Sequence, residues 1–187
     1  MKKLLTVFMI LLLVAGFSYG QGKGKMAASV NGVVTIPFGD FGDAYKTGFG
    51  GTGTFMYFFT DQVAATFTAG YLTWTSKVLT DLKSTAIPVL VGGRYYFGKD
   101  KLHPYVLVKL GMYFFSTDAP TFTVGGVTFG GGTTSSSEFG AGGGVGLMYE
   151  VGNNVHIDAN AQIDAIFTSG STSTFAEVDL GVAFGIN

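Results

Sequence analysis

Residues Val155–Phe167, VHIDANAQIDAIF, alternate with a period of two. Val155, Ile157, Ala159, Ala161, Ile163, Ala165 and Phe167 carry apolar side chains. His156, Asp158, Asn160, Gln162 and Asp164 interleave with them. A strand sends successive side chains to opposite faces, so this segment reads as one strand between two very different media. The period recurs along the chain. Val30, Val34 and Ile36 oppose Ser29, Asn31 and Thr35; Val63, Ala65, Phe67, Ala69 and Tyr71 oppose Ala64, Thr66, Thr68 and Gly70. Ile87, Val89, Val91, Tyr95 and Phe97 oppose Leu90, Gly92, Arg94 and Tyr96. Val106, Val108, Leu110, Met112 and Phe114 oppose Lys109, Gly111 and Tyr113. Phe139, Ala141, Val145, Leu147 and Tyr149 oppose Glu138, Met148 and a run of alternate glycines; Ala176, Val178, Leu180, Val182, Phe184 and Ile186 oppose Glu177, Asp179 and Gly181.

These patterns predict eight strands: 28–37, 47–59, 63–74, 85–97, 104–116, 137–151, 155–167 and 174–186. Each has ten residues or more, where strands of water-soluble proteins average about 5–6 and a tilted membrane strand needs about 9–11. The connections alternate in length. Thr60-Asp61-Gln62, Gly98–His103 and Gly152-Asn153-Asn154 are short turns. Phe38–Lys46, Thr75–Ser84 and Thr117–Ser136 are longer loops, and Ser169–Ser173 is short. Within the longest loop, TFTV-GG-VTF suggests a small hairpin that would carry strands five and six past a barrel rim. Outer-membrane barrels pair short periplasmic turns with longer external loops.

Every strand charge that falls within an alternating face lies on the polar side: Arg94, Lys109, Glu138, Asp158, Asp164, Glu177 and Asp179. The other face is almost wholly Val, Ile, Leu, Ala and Phe, a surface suited to lipid and poorly soluble in water. Tyr57, Phe58, Trp74, Tyr95, Phe97, Phe114, Tyr149 and Phe167 fall at strand ends, where interfacial aromatic girdles form. Composition agrees. Charged residues make up 12% of the chain and aromatics 15%, with mean hydropathy +0.40. About 25% charged residues is usual for a soluble domain. Apart from the N-terminus no apolar run is long enough for a spanning helix, so the apolar residues are dispersed over strands.

The N-terminus reads as a secretory signal peptide over residues 1–20, with Lys2 and Lys3, an apolar core Leu4–Val14 and a Ser18-Tyr19-Gly20 cleavage site. Residues 21–187 then form one domain. No cysteine follows, which rules out a bacterial lipid anchor, disulfides and thiol chemistry. With Lys2 and Lys3 set aside, nine basic residues face twelve acidic ones, a net charge of −3, and no basic patch invites nucleic acid.

Three segments carry a family resemblance: VNGVVTIPFGDFGDAYKTGFG, YFFTD, and PVLVGGRYYFG ahead of a charged turn and HPYV. Across about residues 26–187 the chain resembles the OmpA/OmpX-like eight-stranded barrels, in particular the outer membrane protein beta-barrel domain sequences of Gram-negative bacteria. The resemblance implies an all-β fold: an eight-stranded antiparallel transmembrane β-barrel, an up-and-down meander. It implies outer-membrane lipid as surroundings, insertion by the outer-membrane assembly machinery, and a monomer. The last strand departs from the family pattern: it ends Phe184-Gly-Ile-Asn, whereas such barrels usually finish on an aromatic residue.

An eight-stranded barrel has an interior just wide enough for side chains. The expected lumen polar network is therefore Arg94, Lys109, Glu138, Asp158, Asn160, Gln162, Asp164, Glu177 and Asp179, paired because an unpaired buried charge is costly. A structural or surface-interaction role with a polar plugged lumen follows. Two alternatives stand beside it. The excess of acids and the glycines of strand six, which would leave space, suit a narrow cation-preferring channel. An inverted barrel would be a soluble lipocalin-like carrier. Catalysis finds little support: His103 and His156 have only Ser29 and Glu150 as conceivable partners, and Gly130-Gly131-Gly132 lacks the rest of a phosphate loop. No cofactor or metal motif appears. Loop 117–136 offers an exposed strand edge to a surface partner.

Overall fold

The computed structural model describes residues 25–77, 82–97, 101–124, 127–152, 154–168 and 170–186, with backbone alone over 118–124 and 127–130. The signal segment expected over residues 1–20 lies outside the described residues. Eight strands follow in order: β1 (Met26–Phe38), β2 (Gly48–Phe58), β3 (Val63–Thr75), β4 (Lys83–Tyr96), β5 (Leu102–Val124), β6 (Val127–Gly152), β7 (Val155–Thr168) and β8 (Ser171–Ile186). Each pairs antiparallel with the next. β1 and β8 close the ring from Met26↔Ile186 to Phe38↔Thr174, which leaves the barrel wall with no open edge.

The apolar faces point outward. Val30, Val108 and Leu180 are each more than 60% exposed, and the same holds in lesser degree for Val91, Leu110, Val145, Ile163 and Val178. The soluble, inside-out alternative is thereby overturned: its apolar face would have to line the interior, and the interior is where Asp158, Asp164 and Glu177 lie buried. Exposed aromatics form a band at each end. Phe59, Tyr95, Phe97, Tyr149 and Phe184 ring the short-turn end; Phe38, Phe49, Tyr71, Phe114, Phe139 and Phe167 ring the other. Two expected girdle residues belong inside instead. Trp74 shares parity with Leu72 and Phe58 with Met56, so both point inward; Trp74 is buried and Phe58 packs on Tyr96 at 5.5 Å. A strand end favours an aromatic on either face, and parity decides which medium it meets.

Two loops differ from expectation. Segment 38–46 holds a one-and-a-half-turn helix, α1 (Gly39–Ala44). Phe41 on α1 turns over the barrel mouth, 5.6 Å from the Trp74 ring and 6.4 Å from Phe175. α1 is tied to the next loop by Lys77 Nζ, which donates to Gly42 O at 2.5 Å, and by Lys77 N donating to Ala44 O at 2.9 Å. Segment 117–136, expected as the longest loop, is instead regular strand over its described residues 117–124 and 127–136, paired as far as Val124↔Val127. β5 leaves β4 after Asp118 and β6 meets β7 only from Phe139. The six residues 119–124 therefore run about 20 Å past the last rung shared with β4, at about 3.3 Å per residue.

Inside, apolar side chains gather in two layers. Ala27, Met56, Ala64, Tyr96, Tyr105, Leu107, Met148 and Ala183 form one near the short-turn end. Leu72, Trp74, Leu90, Tyr113, Ile166 and Phe175, with Phe41 and Phe115 against them, form the other near the long-loop end. The charged residues lie between these layers.

Candidate functional site

The belt between the two layers is built by parity. Arg94 on β4, Lys109 on β5, Asp158, Asn160, Gln162 and Asp164 on β7, and Glu177 and Asp179 on β8 all occupy inward positions. They sort into two clusters. In the first, Arg94 Nη1 lies 3.0 Å from Asp158 Oδ2. Tyr105 Oη donates to Asp158 Oδ1 at 2.5 Å, and Asn31 Nδ2 donates to Oδ2 at 3.4 Å. The guanidinium also stands 4.5 Å from the centroid of the Tyr105 ring, a cation–π geometry.

The second cluster centres on Lys109. Its Nζ is 3.2 Å from Asp164 Oδ1 and 3.1 Å from Glu177 Oε1. Tyr113 Oη donates to Asp164 at 3.1 Å. Gln162 Nε2 donates to Glu177 Oε1 at 2.5 Å and to Asp179 Oδ2 at 3.2 Å. Asp179 pairs with neither base. A small cavity of about 20 Å³ lies between the clusters, lined among others by Thr54, Thr68, Asn160, Gln162, Glu177 and Asp179. Four buried oxygens in this half have no hydrogen-bond partner: Asn160 Oδ1, Gln162 Oε1, Asp164 Oδ2 and Asp179 Oδ1.

The glycines of β6 do not leave open space, which corrects the sequence expectation. A Cβ on Gly146 would strike the Tyr105 ring, one on Gly140 the Tyr113 ring, and one on Gly142 the Asp164 carboxylate. The stripe is a trough in the wall. Two tyrosine rings lie along it, and their hydroxyls reach the two β7 carboxylates.

Glu138 stands apart from both clusters. It pairs in register with Tyr113, beyond the inward Ile166, and is only half-buried. Sequence reasoning missed Tyr105 and Asn31 as partners of Asp158, although their parity with Lys109 and Ser29 put them on the inward face. The conceivable Ser–His–acid set is not assembled. Ser29 and His156 each pair in register with Ala183 from opposite sides, and the buried Ser29 hydroxyl has no hydrogen-bond partner. Among the described residues, no group of three or more His, Cys, Asp and Glu has the geometry to hold a metal ion.

A family model described as outer membrane protein beta-barrel domain matches residues 7–185. The chain belongs to the outer membrane protein beta-barrel domain family. Its place is the outer membrane, which makes the short-turn end periplasmic and the long-loop end external. Solved structures agree on the fold. Neisserial surface protein A superposes with a TM-score of 0.68 at 17% identity, covering 87% of this chain and 99% of that one. A major outer membrane protein from Thermus thermophilus gives 0.63 at 14%, covering 86% and 99%. Ail, the attachment invasion locus protein of Yersinia pestis, in complex with the heparin analogue sucrose octasulfate, gives 0.55 at 15%, covering 88% and 99%. No curated protein matches the chain.

Proposed function

We propose that this outer-membrane barrel is a non-catalytic, non-conducting anchor that presents the β5–β6 ribbon to an extended polypeptide, which adds to it as a further strand. The ribbon carries this reading. β6 begins at Val127 and its β7 register only at Phe139, so the stretch between them, Thr133 excepted, offers backbone groups on that side to a partner strand. Segment 119–137 contains no Lys, Arg, Asp or Glu. A polyanion such as the one bound to Ail needs basic side chains, and this segment has none. A neutral edge suits recognition through backbone hydrogen bonds.

The lumen serves as a plug in this reading. The charged belt is crossed by the Arg94–Asp158 pair, and apolar layers containing Tyr96, Tyr105, Trp74 and Phe175 stand on either side of it. A narrow cation channel is the competing reading, favoured by the acid excess around Asp179.

Two measurements on the full-length protein test this. Planar bilayers containing it are expected to stay silent; discrete conductance steps would replace the plug with a channel. Cells displaying it are expected to retain unstructured peptides from an array, insensitive to heparin and to salt. Retention should vanish when alternate peptide amides are N-methylated, which removes the donors a strand needs, and when residues 119–132 are deleted. Competition by heparin, or retention by the deletion variant, would sink the ribbon reading.

A further inference from the structure

We propose that the half of the lumen around Asp179 is a binding site for one small monovalent cation of sodium size. Charge balance is the starting point. Between the apolar layers, two bases meet four carboxylates: Asp158, Asp164, Glu177 and Asp179, all buried. Arg94 is taken by Asp158, and Lys109 is shared by Asp164 and Glu177. Asp179 is met by uncharged amides, those of Gln162 and Asn160. A buried carboxylate without a counter-charge is costly, and something must offset it.

The second observation is geometric. The cavity beside Asp179 has a volume of about 20 Å³, room for one water-sized particle. Its wall includes Asn160, Gln162 and Asp179, each at least nine-tenths buried and each with a side-chain oxygen lacking any partner. Arg94 and Lys109 also line it, but their charges are engaged by Asp158 and by Asp164 and Glu177. The Gln162 orientation is fixed, because its amide nitrogen donates to both Glu177 and Asp179 and so turns Oε1 away from them. Across the cavity stand the hydroxyls of Thr54 and Thr68, 2.9 Å apart and sharing one hydrogen bond, so one retains a free acceptor pair. Carboxylate, amide and hydroxyl oxygens are the ligands hard cations take. The donor set carries too little negative charge, and too few clustered carboxylates, for a divalent ion. A monovalent ion fits the space and offsets the Asp179 carboxylate, halving the belt's excess of two negative charges.

The apolar layers on either side call for loading the site during folding. The full mature barrel is therefore folded from urea into phosphatidylcholine vesicles, at constant ionic strength, in sodium chloride or in N-methyl-D-glucamine chloride. The urea midpoint, read from gel mobility, should be higher in sodium and rise with the logarithm of its concentration. Crystals grown with thallium(I) should show one anomalous peak in the cavity. Asp179→Asn should abolish both signals while keeping the folded mobility. Should that variant fail to fold, Asn160→Ala should weaken both. Equal midpoints in the two salts, no thallium peak, or a salt effect that survives Asp179→Asn would each overturn the site, assigning the charge balance to a proton or the salt effect to the lipid surface.

Discussion

The two halves of the lumenal belt use the same residue types and reach opposite balances. Around Arg94, one base meets one acid, and Asp158 collects an ion pair, a tyrosine hydroxyl and an amide. Around Lys109, one base stands among three acids, and oxygens of Asn160, Gln162, Asp164 and Asp179 are left without partners. Buried polar groups in a stable core are almost all satisfied. Among the residues of the first cluster only Asn31 Oδ1 lacks a partner, and that half behaves as structure. The second half departs from that rule, and departures of this kind gather where a protein has something to bind.

The contrast is broken most forcefully at Arg94. Arg94→Met strands Asp158 in a dry site and should destabilise the barrel by about 3–5 kcal/mol, read as a fall in urea midpoint in vesicles. Arg94→Met with Asp158→Leu should recover most of that loss, because removing both charges is often neutral. Full additivity of the two single costs would show that the pair is not coupled.

One isosteric change applied to both halves sharpens the difference. Asp158→Asn should cost about 2–3 kcal/mol, since it weakens the charge-assisted bonds to Arg94 and Tyr105. Asp179→Asn, measured in N-methyl-D-glucamine chloride, should be neutral or stabilising, since it removes an uncompensated charge. Equal losses at both positions would erase the distinction between the halves.

The glycine trough supports both halves and gives a smaller effect. Gly146→Val drives a side chain into the Tyr105 ring, and overpacking of this kind costs about 1–3 kcal/mol. Gly152→Ala has nothing within 4 Å to meet and serves as the control. A comparable loss at Gly152 would show that β6 tolerates no side chain for reasons other than the tyrosines.

How far all this could be read from the chain depends on the kind of interaction. Parity alone separates the outward Val, Ile and Leu from Arg94, Lys109, Asp158, Asp164, Glu177 and Asp179, because a strand alternates strictly and the two media differ so much. Which base meets which acid could not be read. That pairing links β4 to β7, and β5 to both β7 and β8, across the lumen, and it depends on barrel stagger and side-chain reach, neither of which has a local signature. The same limit explains Trp74 and the glycine stripe. A strand-end aromatic suits a girdle and a lumen equally, and an alternating glycine run looks like empty space until rings from the neighbouring strand fill it. The ribbon was half legible: the Gly125-Gly126 hairpin signal was present, but the Ser, Thr and Gly around it read more readily as loop than as regular strand pairing.

The smallest expected effect concerns the ribbon, which stands outside the balance that divides the lumen. Deleting residues 119–132 removes pairing between β5 and β6 only, down to about the Ser116↔Ser135 rung, because the residues on either side of the new junction must form the turn. Within the barrel, β5 stays joined to β4 from Thr85↔Ser116 down to Tyr96↔Tyr105, and β6 to β7 from Phe139. Neither charged cluster draws a residue from the deleted segment. The urea midpoint of the deletion variant should therefore stay within about 0.5 kcal/mol of the parent, with heat-modifiable mobility unchanged. A loss of several kcal/mol would mean that the ribbon is part of the barrel's stability, and its peptide-binding defect could no longer be assigned to a missing edge.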